Sequence, residues 1–375
     1  MHKPLVSVVM VVCNVDRFLA ASIESILTQT FREFEFIVVD FGSTDTSKSI
    51  VSGYMAKDSR MKVHEIPHCS LAEARNAACS LAEGQYIAIM DADDVSLPNR
   101  LRWQVSFMEK EPDVGLLGGA VEWIDGTGRP LHVQFHPAED DEIRAALPNG
   151  YPFCHPSLIM RRDTFLRAGG YRPAFTQAED YDLAIRMSEQ CKCSNLKQVV
   201  LKYRIHPYQD SMRKVGQQAL AILAAQVSAV SRKNRLPDPF DSIKVITPEA
   251  LAALGVTKAR QKGQIVIYSM HWVRIMCMAG EYSVALREAL KVLRSDLDSI
   301  EGWRVADLRL LVAGLYWKQG RFVRSCLTLA RALASRPITM GRPIKLLLRR
   351  LQLLNHQRVA LRGKNNEDFS HPMHV

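Results

Sequence analysis

Three short stretches, Leu5–Val12, Phe34–Val39 and Tyr86–Met90, are apolar except for Ser7 and Glu35 and rich in β-branched side chains. A strand covered on both faces has this pattern, because neither face needs a polar row. Between them lie helical spacings over Ala20–Gln29, Ser47–Lys57 and Leu71–Glu83, with another over Asn99–Met108. Strand and helix in alternation predict an α/β domain with a mostly parallel central sheet. Ligands of such sheets bind at the carboxyl ends of the strands.

The texture changes beyond residue 212. Met212–Asn234 is an Ala-, Leu- and Gln-rich helical pattern, and Pro237, Pro239 and Pro248 then break it. Residues 256–375 carry almost no strand signal. Ala279-Gly280-Glu281-Tyr282 and Gln319-Gly320-Arg321-Phe322 lie 40 residues apart, each before an Ala/Leu helical stretch, as in two helix–Gly turn–helix units. The expected organisation is an α/β domain at 1–235, a linker at 236–255 and an all-α region at 256–375.

The sequence has 375 residues, 47% hydrophobic and 23% charged, as in ordinary globular chains. Its net charge of +10 is unevenly placed. Residues 1–235 hold 27 basic and 28 acidic side chains, and residues 236–375 hold 22 and 11. A near-neutral front and a basic back argue against a nucleic-acid binder and for two parts with different partners. No run is long enough to span a bilayer, and Leu5–Cys13 is too soon followed by Asp16 and Arg17 for a secretory leader. Eight scattered cysteines without a C-x-x-C make disulfides and structural zinc unexpected and point to a reducing cytoplasm.

Clustered chemistry follows the strands. After the third come Asp91, Asp93 and Asp94, which would raise one another's pKa unless a cation sat among them. A hard divalent metal gripping a diphosphate and a simple N-cap run before the next helix are both open readings. Arg75 is a phosphate ligand or a solvated surface group. Glu179-Asp180-Tyr181-Asp182 opens a helix, so its acids either cap that helix or aim one carboxylate into the cleft as a base. His155 and His206 are core or surface histidines, or complete a metal or phosphate site; Tyr203 and Arg204 beside His206 favour the latter.

The order of these clusters carries more than any one of them. Val6 to Asn14, Asp40-Phe-Gly-Ser-Thr-Asp45, Ala74-Arg-Asn76, Asp91-Ala-Asp-Asp94, His155-Pro-Ser157, Glu179-Asp-Tyr-Asp182 and Lys202-Tyr-Arg-Ile-His206 together resemble the family 2 inverting glycosyltransferases of GT-A fold, over residues 4 to about 210. The resemblance implies metal-dependent transfer of a sugar from a nucleotide-sugar donor, a UDP-sugar foremost, to a saccharide or lipid-linked acceptor, in bacterial surface polysaccharide or glycolipid synthesis. It implies Asp180 as base with Glu179 beside it. Val12, Asn14, Asp40, Ser43, Asp45, Arg75, Asp91 and Ala92 would line the donor, and Asp93, Asp91 and His206 would hold Mn2+ or Mg2+. The sequence departs from the family at Phe41, where an acid is frequent, and at Val11 and Cys13. These departures and the large tail leave open a catalytically weak nucleotide-sugar-binding or scaffold protein. A nucleotidyltransferase would call for a Gly-rich loop near the first strand, and residues 5–20 contain no glycine.

Residues 300–375 hold 14 basic and 4 acidic side chains. Within them Ile344, Leu347, Leu348, Leu351 and Leu354 follow helical spacing beside Lys345, Arg349 and Arg350. Residues 342–355 are thus either a basic amphipathic helix on an anionic membrane, at the inner face of the cell membrane, or a helix packed on the preceding hairpins.

Overall fold

The computed structural model describes residues 3–209, 213–295 and 302–335. They fall into two compact units, Met1–Val284 and Ala285–Val375. The first begins with β1 (Val6–Val12), α1 (Asp16–Leu27), β2 (Phe34–Asp40), α2 (Ser47–Met55), β3 (Met61–Glu65), α3 (Leu71–Ser80), β4 (Tyr86–Asp91), the two-residue β5 (Val95–Ser96) and α4 (Arg100–Lys110). It continues with β6 (Val114–Asp125), β7 (Pro130–Gln134), α5 (Asp140–Ala146), β8 (Ile159–Arg161), α6 (Arg162–Arg167), α7 (Glu179–Ser188), β9 (Lys192–Ile205), α8 (Val215–Lys233), α9 (Pro248–Ala253) and α10 (Lys258–Met278).

The sheet runs β3-β2-β1-β4-β8-β6-β9-β5, with β7 alongside β6. β3, β2, β1 and β4 are mutually parallel, and β8 then runs antiparallel to both β4 and β6. Successive residues of the central strands point to opposite faces. Val9, Ile37, Val39, Ile87 and Ile89 enter one apolar cluster; Val8, Met10, Phe36, Val38, Ala88 and Met90 enter the other. α3, α7 and α8 contribute to the first cluster, and α1 and α4 to the second. Both faces are dry, which is why the strands read as apolar runs. The two polar exceptions satisfy each other: Ser7 Oγ donates to Glu35 Oε1 at 2.6 Å, and Lys62 pairs with the other Glu35 oxygen at 2.7 Å.

The pattern placed the three central strands within a residue or two. It placed the first helix at Ala20, whereas α1 begins at Asp16. β3 escaped notice because Met61-Lys62-Val63-His64-Glu65 alternates with charge, as a strand at the sheet edge can. Residues 236–255, read from sequence as a linker, are packed. Phe240, Leu251 and Val256 are buried in the same cluster as α8, and the first compact unit runs on to Val284. Pro237 and Pro239 lie in the connection after α8, and Pro248 opens α9 behind its Thr247 cap.

Across the division of the units runs α11 (Tyr282–Leu293), and the second unit then holds α12 (Gly302–Lys318) and α13 (Phe322–Ser335). The turns before α11 and α13 use Gly280 at φ +84° and Gly320 at φ +71°, where a side chain would be strained. Among the described residues no helix is long and apolar enough to cross a membrane. The basic segment 342–355 lies outside the described residues.

Candidate functional site

Parallel pairing brings the strand ends to one edge. Val12 of β1 sits opposite Asp40 of β2, and Val11 opposite Asp91 of β4. The loops leaving these positions form one side of the candidate site.

Asn14 adopts φ +52°, and its side-chain oxygen accepts from Thr44 N–H at 2.8 Å and Asp45 N–H at 3.2 Å. Its own N–H donates to Ser43 Oγ at 3.1 Å. Asp45 accepts from the backbone of Asp16 and Ser47. Burial raises its pKa, but these hydrogen bonds, those from Ser47 foremost, hold it below the ordinary value. Asn14 and Asp45 therefore tie two loops together. Asp40, 2% exposed, accepts from Gly42 and Ser43 N–H through Oδ1, both at 2.9 Å, while its buried Oδ2 has no partner in the protein. Phe41 is half-buried against the apolar cluster that contains Val39. Val12 is fully buried, and Ala92 is buried with its carbonyl accepting from Ser22 Oγ at 2.8 Å.

Arg75, on α3, bridges two acids. Nη1 meets Glu179 Oε1 at 2.6 Å and Nη2 meets Asp91 Oδ1 at 3.3 Å. Burial alone would lower its pKa, and the two carboxylates more than reverse that. The capping box of α3, Ser70 with Glu73, fixes the start of the helix that presents it. Asp180 follows Glu179 in the first turn of α7. Burial first, then the neighbouring Glu179 charge, push its carboxyl up to about 7, against the opposing pull of Arg75. Ala178 is the N-cap and makes no side-chain bond; Glu179 is engaged by Arg75, and Asp180 Oδ1 accepts from the first-turn N–H of Tyr181 at 2.8 Å.

The third group surrounds Asp93. His206 Nε2 lies 2.9 Å from Asp93 Oδ2, and His206 Nδ1 accepts from Tyr208 N–H at 3.3 Å, so Nε2 is the nitrogen that donates. Phe18 packs against the His206 ring at 4.8 Å. Asp94 is fully buried. One oxygen accepts from Arg204 N–H at 2.7 Å, the other has no partner, and burial followed by Asp93 and Asp91 drives its pKa well above the ordinary carboxylate value. Asp91 is raised in the same way, by burial first, while Arg75 opposes.

The structure thus brings Arg75, Asp91, Glu179 and Asp180 together in one group and Asp93 with His206 in another, joined through the Asp91–Asp94 turn. Among the described residues no three His, Cys, Asp or Glu side chains form a complete metal cage. The residues nonetheless fit a divalent cation: Asp91 and Asp94 carry raised pKa values beside Asp93, and an added positive charge would relieve that. A site of one or two carboxylates that leaves positions for phosphate oxygens is the habit of Mg2+.

Several contacts that complete these groups were not evident from sequence. Arg204 anchors Asp94 through its N–H and the Asp93 carbonyl through Nε at 2.7 Å. Tyr171 accepts or donates at 3.0 Å to His155 Nε2, and Asn76 holds the Tyr171 backbone through both its amide atoms. His155, buried and pushed well below its ordinary pKa by burial and then Arg75, stands neutral 4.0 Å from Asp91. Tyr268 of α10 has its pKa raised by burial and then by Tyr181 and Asp180. None of the eight cysteines is in a disulfide.

The Glycosyl transferase family 2 model matches residues 7–170. An uncharacterized glycosyltransferase of Methanocaldococcus jannaschii is 34% identical over 226 residues, 59% of this chain and 77% of its own length. The chain belongs to glycosyl transferase family 2. The O-antigen biosynthesis glycosyltransferase WbnJ of Escherichia coli is also 34% identical, over 54% of this chain and 80% of its own. Among solved structures, a mannosyltransferase of Pyrobaculum calidifontis in complex with GDP-Man and Mn2+ aligns over 90% of this chain and 87% of that one, at 18% identity and a TM-score of 0.49. The protein is a glycosyltransferase, and the matched region contains Asp40, Arg75, Asp91 and Asp93.

Proposed function

We propose that the enzyme transfers a sugar from a nucleotide-sugar donor, a UDP-sugar foremost, to a saccharide or lipid-linked saccharide with inversion at the anomeric carbon. The observation that carries this reading is Asp180: a carboxyl lifted to about 7, next to Glu179 and held against the Arg75–Asp91 pair.

In this reading Asp180 takes the acceptor hydroxyl proton as the new glycosidic bond forms. A base with a pKa near the working pH suits that step. Glu179 supplies part of the charge that raises Asp180 and fixes Arg75. Arg75 neutralises charge on the diphosphate side of the cleft. Asp40, with one buried oxygen free of protein partners, accepts from the donor's base, and Ser43 and the Asn14–Asp45 tie shape the loop around it. Val12 and Ala92 line the donor through backbone. Asp91, Asp93 and His206 would hold Mn2+ or Mg2+. When bound, the ion supplies Lewis-acid stabilisation of the leaving diphosphate. The domain plan proposed with this reaction is a catalytic α/β part followed by a basic helical part, whose segment 342–355 contacts anionic lipid. The setting is surface-polysaccharide assembly at the inner face of the cell membrane, and the WbnJ relative's printed role supports it.

The test is transfer and donor hydrolysis with a panel of nucleotide sugars and Mn2+, comparing the parent with Asp180→Asn. Equal rates in the two proteins would remove Asp180 from the role of base.

A further inference from the structure

At the turn of the α12–α13 hairpin a group of large side chains faces outward. Around the Gln319-Gly320-Arg321 turn, Trp317 is 58% exposed, Phe322 53%, Val323 75% and Leu327 58%. The Trp317 and Phe322 rings meet edge to face at 4.7 Å. Val323 and Leu327 are four residues apart and share one stripe of α13. The side of α13 that faces α12 is the small one: Ser325 and Ala332 are buried, and Ser325 Oγ donates to the Ala313 carbonyl at 2.8 Å. A helix normally buries its large apolar side chains and exposes its small or polar ones. Along α13 the buried residues are small, and four large apolar groups stand exposed around the hairpin tip, which marks an interaction surface.

Charge selects the partner. Lys318, Arg321 and Arg324 are exposed beside these groups. From Leu308 to Asn366 the chain has 13 Lys and Arg and no Asp or Glu. The neighbouring tail and a second copy of this hairpin both carry the same sign, so neither complements the tip. At the equivalent turn before α11, Glu281 occupies the place that Arg321 occupies before α13, so the cationic tip is particular to the second hairpin. A surface both apolar below and negative above, into which a Trp and a Phe can sit at headgroup level, is an anionic lipid leaflet.

We propose that the α12–α13 tip is a membrane-docking surface: Trp317, Phe322, Val323 and Leu327 enter the headgroup–acyl boundary, while Lys318, Arg321 and Arg324 meet anionic headgroups. This contact is separate from segment 342–355 and does not rest on the assigned reaction.

The test uses the full chain with vesicles of phosphatidylcholine alone and of phosphatidylcholine with phosphatidylglycerol, read by co-sedimentation. One variant carries Phe322→Ser, Val323→Ser and Leu327→Ser. Another carries Arg321→Gln and Arg324→Gln, and a third lacks residues 342–355. All replaced hairpin side chains are exposed, so folding should hold; circular dichroism and thermal melting check it, and the glutamine variant decides should the serine variant melt early. The parent is expected to sediment with the anionic vesicles alone, to release them at high salt, and to lose affinity at least about tenfold in each hairpin variant. The deletion is expected to retain hairpin-dependent binding. The proposal is overturned by a parent that ignores anionic vesicles or binds neutral ones equally, or by hairpin variants that bind as the parent does. A parent dimer that the serine variant dissolves, without vesicle binding, overturns it in favour of a second copy.

Discussion

In its proposed role as base, Asp180 joins chemistry to stability at a single atom group. Its carboxyl would have to be ionised to accept a proton, so the rate should climb as pH rises through about 7 and level above it. Asp180→Asn should lower kcat by about 10²–10⁴-fold with donor binding retained, measured by steady-state kinetics and by titration with the nucleoside diphosphate. The same shift has an opposite effect on folding. A carboxyl raised in the folded state holds its proton longer there than in the unfolded chain. Between its unfolded value near 4 and about 7, stability therefore falls as pH increases, and the loss is complete above 7. In metal-free protein at pH 8, Asp180→Asn should thus melt a few degrees higher than the parent, and show little difference at pH 4. The residues that carry these effects were readable because they sit in compact, ordered clusters. Arg204 was noticed beside His206, but its hold on Asp94 was not legible, since Asp94 lies 110 residues away and the contact uses a backbone N–H, which leaves no mark on side-chain identity.

Helix α7 presents Glu179 and Asp180, the acids of the proposed catalytic side, and its position depends on Asp182. That side chain is 1% exposed and is gripped by Arg172 Nε at 3.0 Å and Arg186 Nη2 at 2.7 Å. Arg172 reaches on to Asp238 at 3.0 Å, and Arg186 donates to the Ala168 and Gly170 carbonyls. Removing one member of such a network leaves buried charge without a partner. Asp182→Ala should cost about 3 kcal/mol or more, read by urea unfolding. The helix itself was expected from its acidic first turn, but Asp182 read there as one more acid for the helix dipole. Its true partners are Arg172 and Arg186, and Arg172 is shared with Asp238, which lay in a stretch taken for a linker. β9, fourteen residues long, was also unseen, because Lys197, Gln198 and Lys202 interrupt its apolar positions. It pairs with β6 on one side and β5 on the other and so has little freedom to be anything else.

For the molecule as a whole, the uneven charge noted in the sequence acquires addresses. The nearly neutral part is the α/β unit whose acids gather at the strand ends. The basic part includes the α12–α13 tip, where cations flank exposed aromatic and aliphatic groups. Chelation with EDTA should abolish sugar transfer, and Mn2+ added in excess should restore it. Mn2+ and a nucleoside diphosphate together should raise the melting temperature more than the sum of either alone, since each ligand that favours the folded state adds to stability by mass action. The α/β frame was legible because its central strands are covered on both faces. The union of its two halves was not, for it rests on Arg75 with Glu179, Asp93 with His206 and Asp94 with Arg204, each more than 100 residues apart. That spacing carries a consequence for synthesis. At about 5–20 residues per second, a ribosome needs several seconds to travel from the Asp91–Asp94 turn to His206. Throughout that interval the nascent chain owns its clustered acids but neither the arginine backbone nor the histidine that steadies them. Maturation of the cleft is therefore a late event in the life of the polypeptide, gated by the arrival of β9.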